Sequence, residues 1–262
     1  MEGNDGNDII YGAVDGANET IFGDFPGTTI SIDESGIPVL GGNDKIYGSD
    51  NLTGTQTIAG GTYNDWIYSG TDVMGAIKIY GDNDSPTPLT EDSTDLNIND
   101  GDDIIYIDND NTLVYGWGQG GNDKLIGGFG SAQIEKLYGG SGDDKIWLVN
   151  PEQREFDNIA DQNYGYGGQG NDSIYGTDAD DQIFGDDYNK PMAETDIVTD
   201  DLAGGDDVLK GYGGDDIIMG NFGDDFIEGG TGDDMLYGHI GDDKVYGGDG
   251  DDTMYGDDIM NE

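Results

Sequence analysis

The sequence predicts an all-β fold, in which short strands and tight turns alternate to build one elongated parallel solenoid over residues 1–262. Three observations predict it. A nine-residue frame, Gly-Gly-x-Gly-x-Asp-x-apolar-x, recurs fourteen times with varying fidelity. Five copies follow one another without a break from Gly211 to Tyr255, and position 8 is apolar in every copy. Because repetition at a short fixed period is typical of solenoids, each repeat is expected to pack on its neighbours.

The frame divides into a turn and a strand. Positions 1–6 are rich in glycine and aspartate, which suit a turn that needs positive φ and close backbone approach. Positions 7–9 form a short strand whose middle side chain points away from its neighbours, so position 8 faces inward. The residues at position 8 are Ile10, Ile46, Ile67, Ile105, Leu125, Ile146, Ile174, Ile183, Leu209, Ile218, Ile227, Leu236, Val245 and Met254.

Two turns and two strands make one coil, and stacked coils make two parallel sheets. Counting strands gives about 20, or roughly 10 coils, and a length of roughly 50 Å at about 4.8 Å per coil. The most regular section is residues 202–255. Four longer segments interrupt the repeats and are expected to leave the solenoid as loops, near residues 23–41, 81–99, 148–163 and 185–203.

The charge balance indicates a fold completed by cations. The chain carries 57 acidic and 9 basic residues, a formal charge of −48, and such self-repulsion opposes a compact state. It argues against nucleic acid and anionic lipid as partners. A disordered acidic chain would be poor in aromatic residues, but this one has 16 Tyr, 7 Phe and 3 Trp. The absence of cysteine excludes disulfides and cysteine-ligated metals, and no apolar run approaches the roughly 20 residues that span a membrane.

The tandem nonapeptides resemble the RTX (repeats-in-toxin) calcium-binding repeat family. The resemblance implies a right-handed parallel β-roll with several Ca²⁺ ions stacked in the Gly/Asp-rich turns. Calcium takes six to eight oxygen ligands from carboxylates and backbone carbonyls, whereas magnesium demands a tighter octahedron. Two stacked turns offer such a set: the position-6 aspartate of each, with carbonyls of the glycine-rich segments.

The predicted metal ligands fall on two edges, because successive turns alternate between them. The first edge receives Asp8, Asp44, Asp65, Asp103, Asp123, Asp144, Asp172, Asp207, Asp225 and Asp243. The second edge receives Asp181, Asp216, Asp234 and Asp252. The glycines predicted to share these sites, at position 4, are Gly205, Gly214, Gly223, Gly232, Gly241 and Gly250. The calcium ladder is therefore expected to be long on the first edge and confined to the C-terminal part of the second.

Several turns depart from the frame. On the second edge, the irregular turns lie at 12–19, 48–56, 69–77, 107–112, 127–135 and 148–163. The copies with Tyr63 or Ala179 at position 4 are weaker matches. Three of the loops, all on the first edge, begin alike, with Gly23-Asp24, Gly81-Asp82 and Gly185-Asp186. For a single isolated copy, the aspartate would be interpreted as a turn former only.

Aromatic residues and lysines flank the inward position and are expected to face outward. Lysine recurs at position 7, and position 9 is often aromatic. On the second sheet the position-9 series is Phe22, Tyr80, Tyr115, Tyr138, Phe184, Tyr237 and Tyr255. One interpretation is a face that binds a glycan or a protein; the other is cross-strand stacking that covers a thin roll.

The predicted function is a non-catalytic, calcium-binding structural module. His239 is the only histidine and is expected to be a solvated turn residue, so neither a catalytic triad nor a two-histidine metal site is expected. The RTX resemblance implies secretion and folding in external calcium. One alternative is a filament or surface-layer subunit that self-associates through uncapped roll ends. Another is a carbohydrate-binding module that uses the loops or the aromatic faces.

Overall fold

The structure is a computed structural model, and it describes the turns and strands of the repeats. The residues it describes are 7–12, 19–22, 31–32, 38–39, 42–50, 55–61, 63–71, 76–81, 101–107, 114–128, 135–151, 163–186 and 204–257. Most of the predicted loops at 23–41, 81–99, 148–163 and 185–203 lie outside these residues.

Two ten-stranded sheets account for almost all of the strands. Sheet 1 contains β1 (Ile9–Tyr11), β5 (Lys45–Tyr47), β7 (Trp66–Tyr68), β9 (Ile104–Tyr106), β11 (Lys124–Ile126), β13 (Lys145–Trp147), β15 (Ser173–Tyr175), β17 (Val208–Gly213), β19 (Phe226–Thr231) and β21 (Lys244–Asp249). Sheet 2 contains β2 (Glu19–Phe22), β6 (Gln56–Ala59), β8 (Ile77–Tyr80), β10 (Val114–Gly120), β12 (Glu135–Ser141), β14 (Asn163–Gln169), β16 (Asp181–Phe184), β18 (Ile217–Phe222), β20 (Met235–Ile240) and β22 (Thr253–Asp257).

Within each sheet, every strand pairs in parallel with the strand one coil further along the chain. The chain therefore alternates between the sheets, and the turns alternate between two edges. This is the predicted parallel β-roll. The predicted loop at 23–41 contains one feature that the sequence did not indicate, an antiparallel pair of two-residue strands, β3 (Ser31–Ile32) and β4 (Pro38–Val39).

The core is a column of aliphatic side chains between the sheets. Twelve of the fourteen position-8 residues are buried, from Ile10 at 8% exposed to Leu236 at 0%. Val245 is partly buried against the column. Met254, in the last coil, is 51% exposed, because the described chain has no further coil to cover it. The prediction that position 8 faces inward is confirmed for the twelve buried residues.

Two strands of sheet 2 place glycine where the core side chain would be. Gly116 pairs with Leu137 and Ile79 in neighbouring strands, and a Cβ on Gly116 would lie 3.4 Å from Cδ1 of Ile107. Ile107 stands at the start of the preceding turn, where the frame has glycine, and fills the space that Gly116 leaves. Leu148 does the same for Gly165, with 3.3 Å between Cδ2 and the corresponding Cβ position.

The glycine in β10 also corrects one prediction from sequence. Tyr115 pairs with Lys78 and Lys136, which occupy position 7, whereas Trp117 pairs with Tyr80 and Tyr138. The position-9 aromatic of this strand is therefore Trp117, and the assignment of Tyr115 was wrong. The apolar alternation was misread because the inward position is Gly116 rather than an aliphatic residue.

The outward aromatic residues stack on one another along both sheets. Ring centroids of consecutive partners lie 4.6–5.6 Å apart and the ring planes are within 10° of parallel. The ladder on sheet 1 is Tyr11, Tyr47, Tyr68 and Tyr106, and the ladder on sheet 2 is Tyr80, Trp117, Tyr138, Tyr166 and Phe184. Each ring covers the face of the next, so the geometry favours the interpretation as cross-strand stacking.

Candidate metal centre

The position-6 aspartates of the first edge form one continuous column, here called the first-edge column. The backbone N–H of each aspartate donates a hydrogen bond to Oδ1 of the aspartate one coil later, over 2.7–3.0 Å. The column runs through Asp8, Asp44, Asp65, Asp103, Asp123, Asp144, Asp172, Asp207, Asp225 and Asp243. From Asp44 to Asp225, every member is at most 2% exposed. The structure therefore brings all ten predicted residues together on one edge.

The second edge has the same arrangement only toward its C-terminal end. The N–H of Asp181 donates to Oδ1 of Asp216 at 2.8 Å, and the pattern continues to Asp234 and Asp252. Upstream, the same register positions hold Glu19, Gln56, Ile77, Val114, Glu135 and Asn163. The sorting of the aspartates between the edges follows the predicted order. Glu135 was missed, because it follows an irregular turn that hides its place in the column.

The second oxygen of these carboxylates is buried beside the backbone. Within the part of the chain that the structure describes, six such Oδ2 atoms are inaccessible to solvent and accept no hydrogen bond. They belong to Asp144, Asp172, Asp207, Asp216, Asp225 and Asp234. A buried carboxylate oxygen without a partner carries a cost of several kcal/mol unless the group is neutralised or paired. A cation at these oxygens would remove that cost.

Each Oδ2 lies next to a glycine and to a carbonyl oxygen of the following coil. A Cβ on Gly229 would lie 2.7 Å from the carbonyl oxygen of Gly247 and would collide with Oδ2 of Asp234. A Cβ on Gly220 would collide with Asp225 in the same way. Position 1 therefore keeps glycine because carboxylate and carbonyl converge there. Carboxylate and backbone carbonyl are the oxygen donors that Ca²⁺ takes.

The position-4 glycines are required by the approach of one coil to the next. The φ angles of five of the six predicted glycines are between 101° and 151°; these are Gly214, Gly223, Gly232, Gly241 and Gly250. A Cβ on Gly223 would collide with the carbonyl oxygen of Gly205, and a Cβ on Gly241 with that of Gly223. The carbonyl oxygens of position 4 thus point along the edge toward the next coil.

Burial makes the aspartates poor acids in the absence of a cation. Desolvation raises the pKa of Asp172 to about 9, of Asp207 to about 10 and of Asp216 to about 9, from an ordinary value of 3.8. Repulsion from neighbouring aspartates adds to the shift, and the backbone N–H bonds to Oδ1 reduce it. The charged form of these carboxylates needs a compensating positive charge nearby.

A second row of side chains, at position 5, was missed in the sequence. The hydrogen bonds of this row run in the opposite direction along the edge. The backbone N–H of a position-5 residue donates to the position-5 side chain one coil earlier, as from Asp224 to Oδ1 of Asp206 at 2.8 Å. Asp215 and Asp233 repeat the bond on the second edge, also at 2.8 Å. The signal was available, because position 5 is Asn or Asp in all fourteen copies. Each edge therefore has two rows of bonds with opposite directions, position 5 exposed and position 6 buried.

In the copy with Ala179 at position 4, the buried Oδ2 of the position-6 aspartate already has hydrogen-bond partners. Oδ2 of Asp181 accepts hydrogen bonds from the backbone N–H of Thr177 at 2.6 Å and from its Oγ1 at 3.0 Å. The threonine thus satisfies within the protein an oxygen that is unsatisfied in Asp216. Asp181 is therefore a weaker candidate ligand than the other members of its column.

The donor set of these turns is mixed rather than purely acidic. Among the described residues, no group of three or more acidic or histidine side chains is placed to hold a metal ion. Backbone carbonyls must therefore complete any site. The described residues also include no helix that is long and apolar enough to cross a membrane.

The fold and the edges define a β-roll whose turns carry the oxygen donors of calcium. The comparison with protein families agrees: the family model for the RTX calcium-binding nonapeptide repeat (4 copies) matches more than half of the chain. The matched residues are 1–16, 52–72, 117–134, 129–148, 160–187, 203–227 and 228–258. The chain belongs to the RTX calcium-binding nonapeptide repeat family, whose repeats bind Ca²⁺ at multiple sites. No curated protein matches the chain.

Proposed function

We propose that this chain is a non-catalytic structural module that reaches its stable fold when calcium binds along both edges, outside the cell. The observation that carries the proposal is the set of six buried Oδ2 atoms, each next to a glycine and to a carbonyl of the following coil. A carboxylate oxygen that is neither exposed nor hydrogen-bonded is destabilising unless it has another partner. A stacked array of such oxygens, in a chain with a formal charge of −48, favours bound calcium, which takes carboxylate and carbonyl ligands.

The ligands we propose are the position-6 aspartates and the carbonyls of the glycine-rich segments. The members of the first-edge column would serve along its length, and Asp216, Asp234 and Asp252 would serve on the second edge. Asp181 would contribute less, because Thr177 already occupies its Oδ2. The position-6 aspartates, held in line by the N–H bonds to Oδ1, would hold the calcium ions, which would supply positive charge at these oxygens.

The proposed location outside the cell rests on two arguments. RTX repeat proteins are typically secreted. The affinity range of extracellular calcium modules, roughly 10⁻⁴–10⁻³ M, also suits a site built largely from carbonyls and one or two carboxylates. Inside a cell, where free calcium is far lower, most of these sites would be empty and the carboxylates would repel.

The proposed absence of catalysis rests on the role already taken by the acidic groups. The buried aspartates are held by backbone bonds and aligned along the edges, so they are engaged in structure. A glycan partner at the aromatic faces receives little support, because the stacked rings cover one another. Self-association through the ends of the roll stays a prediction.

Circular dichroism in calcium and in excess chelator tests the proposal. We expect a β-rich spectrum to appear as free calcium rises to roughly 10⁻⁴–10⁻³ M, and magnesium at the same concentration to be ineffective. An unchanged β signal in excess chelator would falsify the proposal. A metal count by mass spectrometry on the dialysed protein provides the second measurement, and we expect several ions per chain.

A further inference from the structure

One turn of the first edge contains an acidic residue that the nonapeptide frame does not require. The turn begins at Gly185 and Asp186, is interrupted by the insertion, and resumes at Gly204 to reach Asp207. Asp186 occupies position 2 of the frame. In the uninterrupted turns of this edge, position 2 is occupied by residues that are not acidic, namely Asn4, Gly61, Gln119, Gly140, Gly168, Asn221 and His239.

The Asp186 carboxylate is buried at the base of the insertion. It is 5% exposed, and its Oδ2 accepts a hydrogen bond from the backbone N–H of Phe222 at 2.8 Å. A Cβ on Gly204 would lie 2.6 Å from Oδ2 and 2.8 Å from Oδ1 of Asp186. The carboxylate therefore lies between the two ends of the insertion, held in place by the next coil.

The same turn contains one of the buried oxygens that accept no hydrogen bond. Oδ2 of Asp207, in a residue 1% exposed, contacts the Cβ position of Gly185, the residue before Asp186. The carbonyl oxygen of Gly220 is 2.5 Å from that position.

We propose that the turn built from Gly185, Asp186 and residues 204–207 is a calcium site with two carboxylates, Asp186 and Asp207. It would therefore bind calcium more tightly than the uninterrupted turns. Ligand charge count is one of the properties that set calcium affinity in proteins. The inference rests on the proposed function, that these turns bind calcium. It adds that the insertion turn is the strongest site.

The sequence extends the inference to the other insertions of this edge. Those near 23–41 and 81–99 also begin with a Gly-Asp pair, Gly23-Asp24 and Gly81-Asp82, although Asp24 and Asp82 lie outside the described residues. An acid at position 2 thus coincides with an insertion in each case. Insertion turns would be the points at which calcium first orders the roll.

Calcium-buffered dialysis with a metal count tests the proposal on the full chain. The test variant is Asp186→Asn, which keeps an acceptor for the Phe222 N–H and removes only the charge. The control is Asp242→Asn, the same change at an exposed position of the same edge. We expect one of the tightly held ions of the wild type to be bound roughly ten- to hundredfold more weakly in Asp186→Asn, and the tightly held ions to be unchanged in the control.

A second variant, which adds an acid instead of removing one, keeps the proposal testable if Asp186→Asn fails to fold. Asn221→Asp places an acid at position 2 of the next, uninterrupted turn, and we expect it to add a tightly held ion. Equal calcium retention by wild type, Asp186→Asn and Asp242→Asn would overturn the proposal. If Asp186→Asn does not fold in saturating calcium, absence of a gain in Asn221→Asp overturns it. Failure of the wild type to bind calcium would instead contradict the proposed function itself.

Discussion

The stretches 101–151 and 204–257 share the first-edge column but differ on the second edge, where the earlier stretch holds Val114 and Glu135 and the later stretch holds Asp216, Asp234 and Asp252. In the later stretch, Gly229 and Asp234 bring a carboxylate against a backbone carbonyl. At the turn before β10 in the earlier stretch, the corresponding positions hold Ile107 and Val114, which are 3% and 0% exposed. The same space between two coils is filled by a polar, cation-dependent arrangement at Gly229 and Asp234 and by aliphatic side chains at Ile107 and Val114.

The difference teaches that the roll has two ways to hold its coils together. Burying Ile107 and Val114 stabilises a coil by roughly 1.5–3 kcal/mol per side chain without any ion. A buried Asp-Gly pair stabilises a coil only when a cation compensates its charge. The coil with Ile107 and Val114 is therefore expected to depend on calcium at the first edge only, and the coils of the later stretch at both edges.

The turn at 48–56 shows a third solution, a neutral amide in place of the carboxylate. Nε2 of Gln56 donates to the carbonyl oxygen of Ser49 at 3.1 Å, and its Oε1 accepts from the N–H of Gly70 at 2.9 Å. The amide supplies both donor and acceptor, so it satisfies the turn without a metal. The two coils that it links need no cation at this place.

The largest effect is expected from breaking the first-edge column. Asp225 lies between Asp207 and Asp243 and bonds to both coils, whereas Asp252 is the last aspartate of its column. Asp225→Ala should reduce the stoichiometry by about one or two ions and lower the cooperativity of binding, because its carboxylate would serve two sites. Asp252→Ala should do less. Calorimetric titration measures both, and equal losses contradict the shared-ligand geometry.

The second prediction concerns the apolar edge. Ile107→Ala removes the side chain that fills the space over Gly116 and should lower the free energy of unfolding by about 2–5 kcal/mol. The number of bound calcium ions should not change. Denaturant unfolding in saturating calcium, together with a metal count, measures the two quantities. A loss of ions in this variant would show that the apolar turn also takes part in calcium binding.

The repeat made much of this predictable from sequence. The Gly-x-Asp ending and the apolar position 8 predicted the alternation of turns and the placing of Asp216 and Asp234. The strand with Gly116 could not be read in the same way, because its core side chain comes from Ile107 in another turn. Glu135 was hidden for a similar reason: the irregular turn before it has no frame from which to count.

The third prediction uses the pKa values of Asp172, Asp207 and Asp216. Because the folded-state pKa values, about 9 to 10, exceed the unfolded value near 3.8, the calcium-free roll binds protons that the unfolded chain releases. Its stability should therefore be greatest below about pH 4 and fall as pH rises toward 9 or 10. In excess chelator, the chain should therefore be more β-rich near pH 4 than at pH 7, because protonation removes the charge of the buried carboxylates. Circular dichroism in chelator across this pH range measures the effect, and a β signal that does not rise toward pH 4 contradicts the burial of the carboxylates.

The smallest effect is expected at Thr177. Thr177→Val removes the hydroxyl that donates to Oδ2 of Asp181 and leaves the backbone bond in place. We expect a loss of stability of about 1 kcal/mol in low calcium and a smaller loss in high calcium. In high calcium, an ion would take over the freed oxygen. Thermal unfolding at the two calcium concentrations measures how far the loss of stability depends on calcium. The control is Thr71→Val, where the hydroxyl bonds to the exposed Asp50, and its loss should not depend on calcium.

The central claim is that the second edge sets how strongly a coil depends on calcium. Hydrogen exchange, followed as free calcium is lowered stepwise, tests it most directly. Strands β18 and β20, whose turns carry Asp216 and Asp234, should lose amide protection at a higher calcium concentration than β10, whose turn carries Ile107 and Val114. Simultaneous loss of protection in the three strands, or earlier loss in β10, would contradict the account.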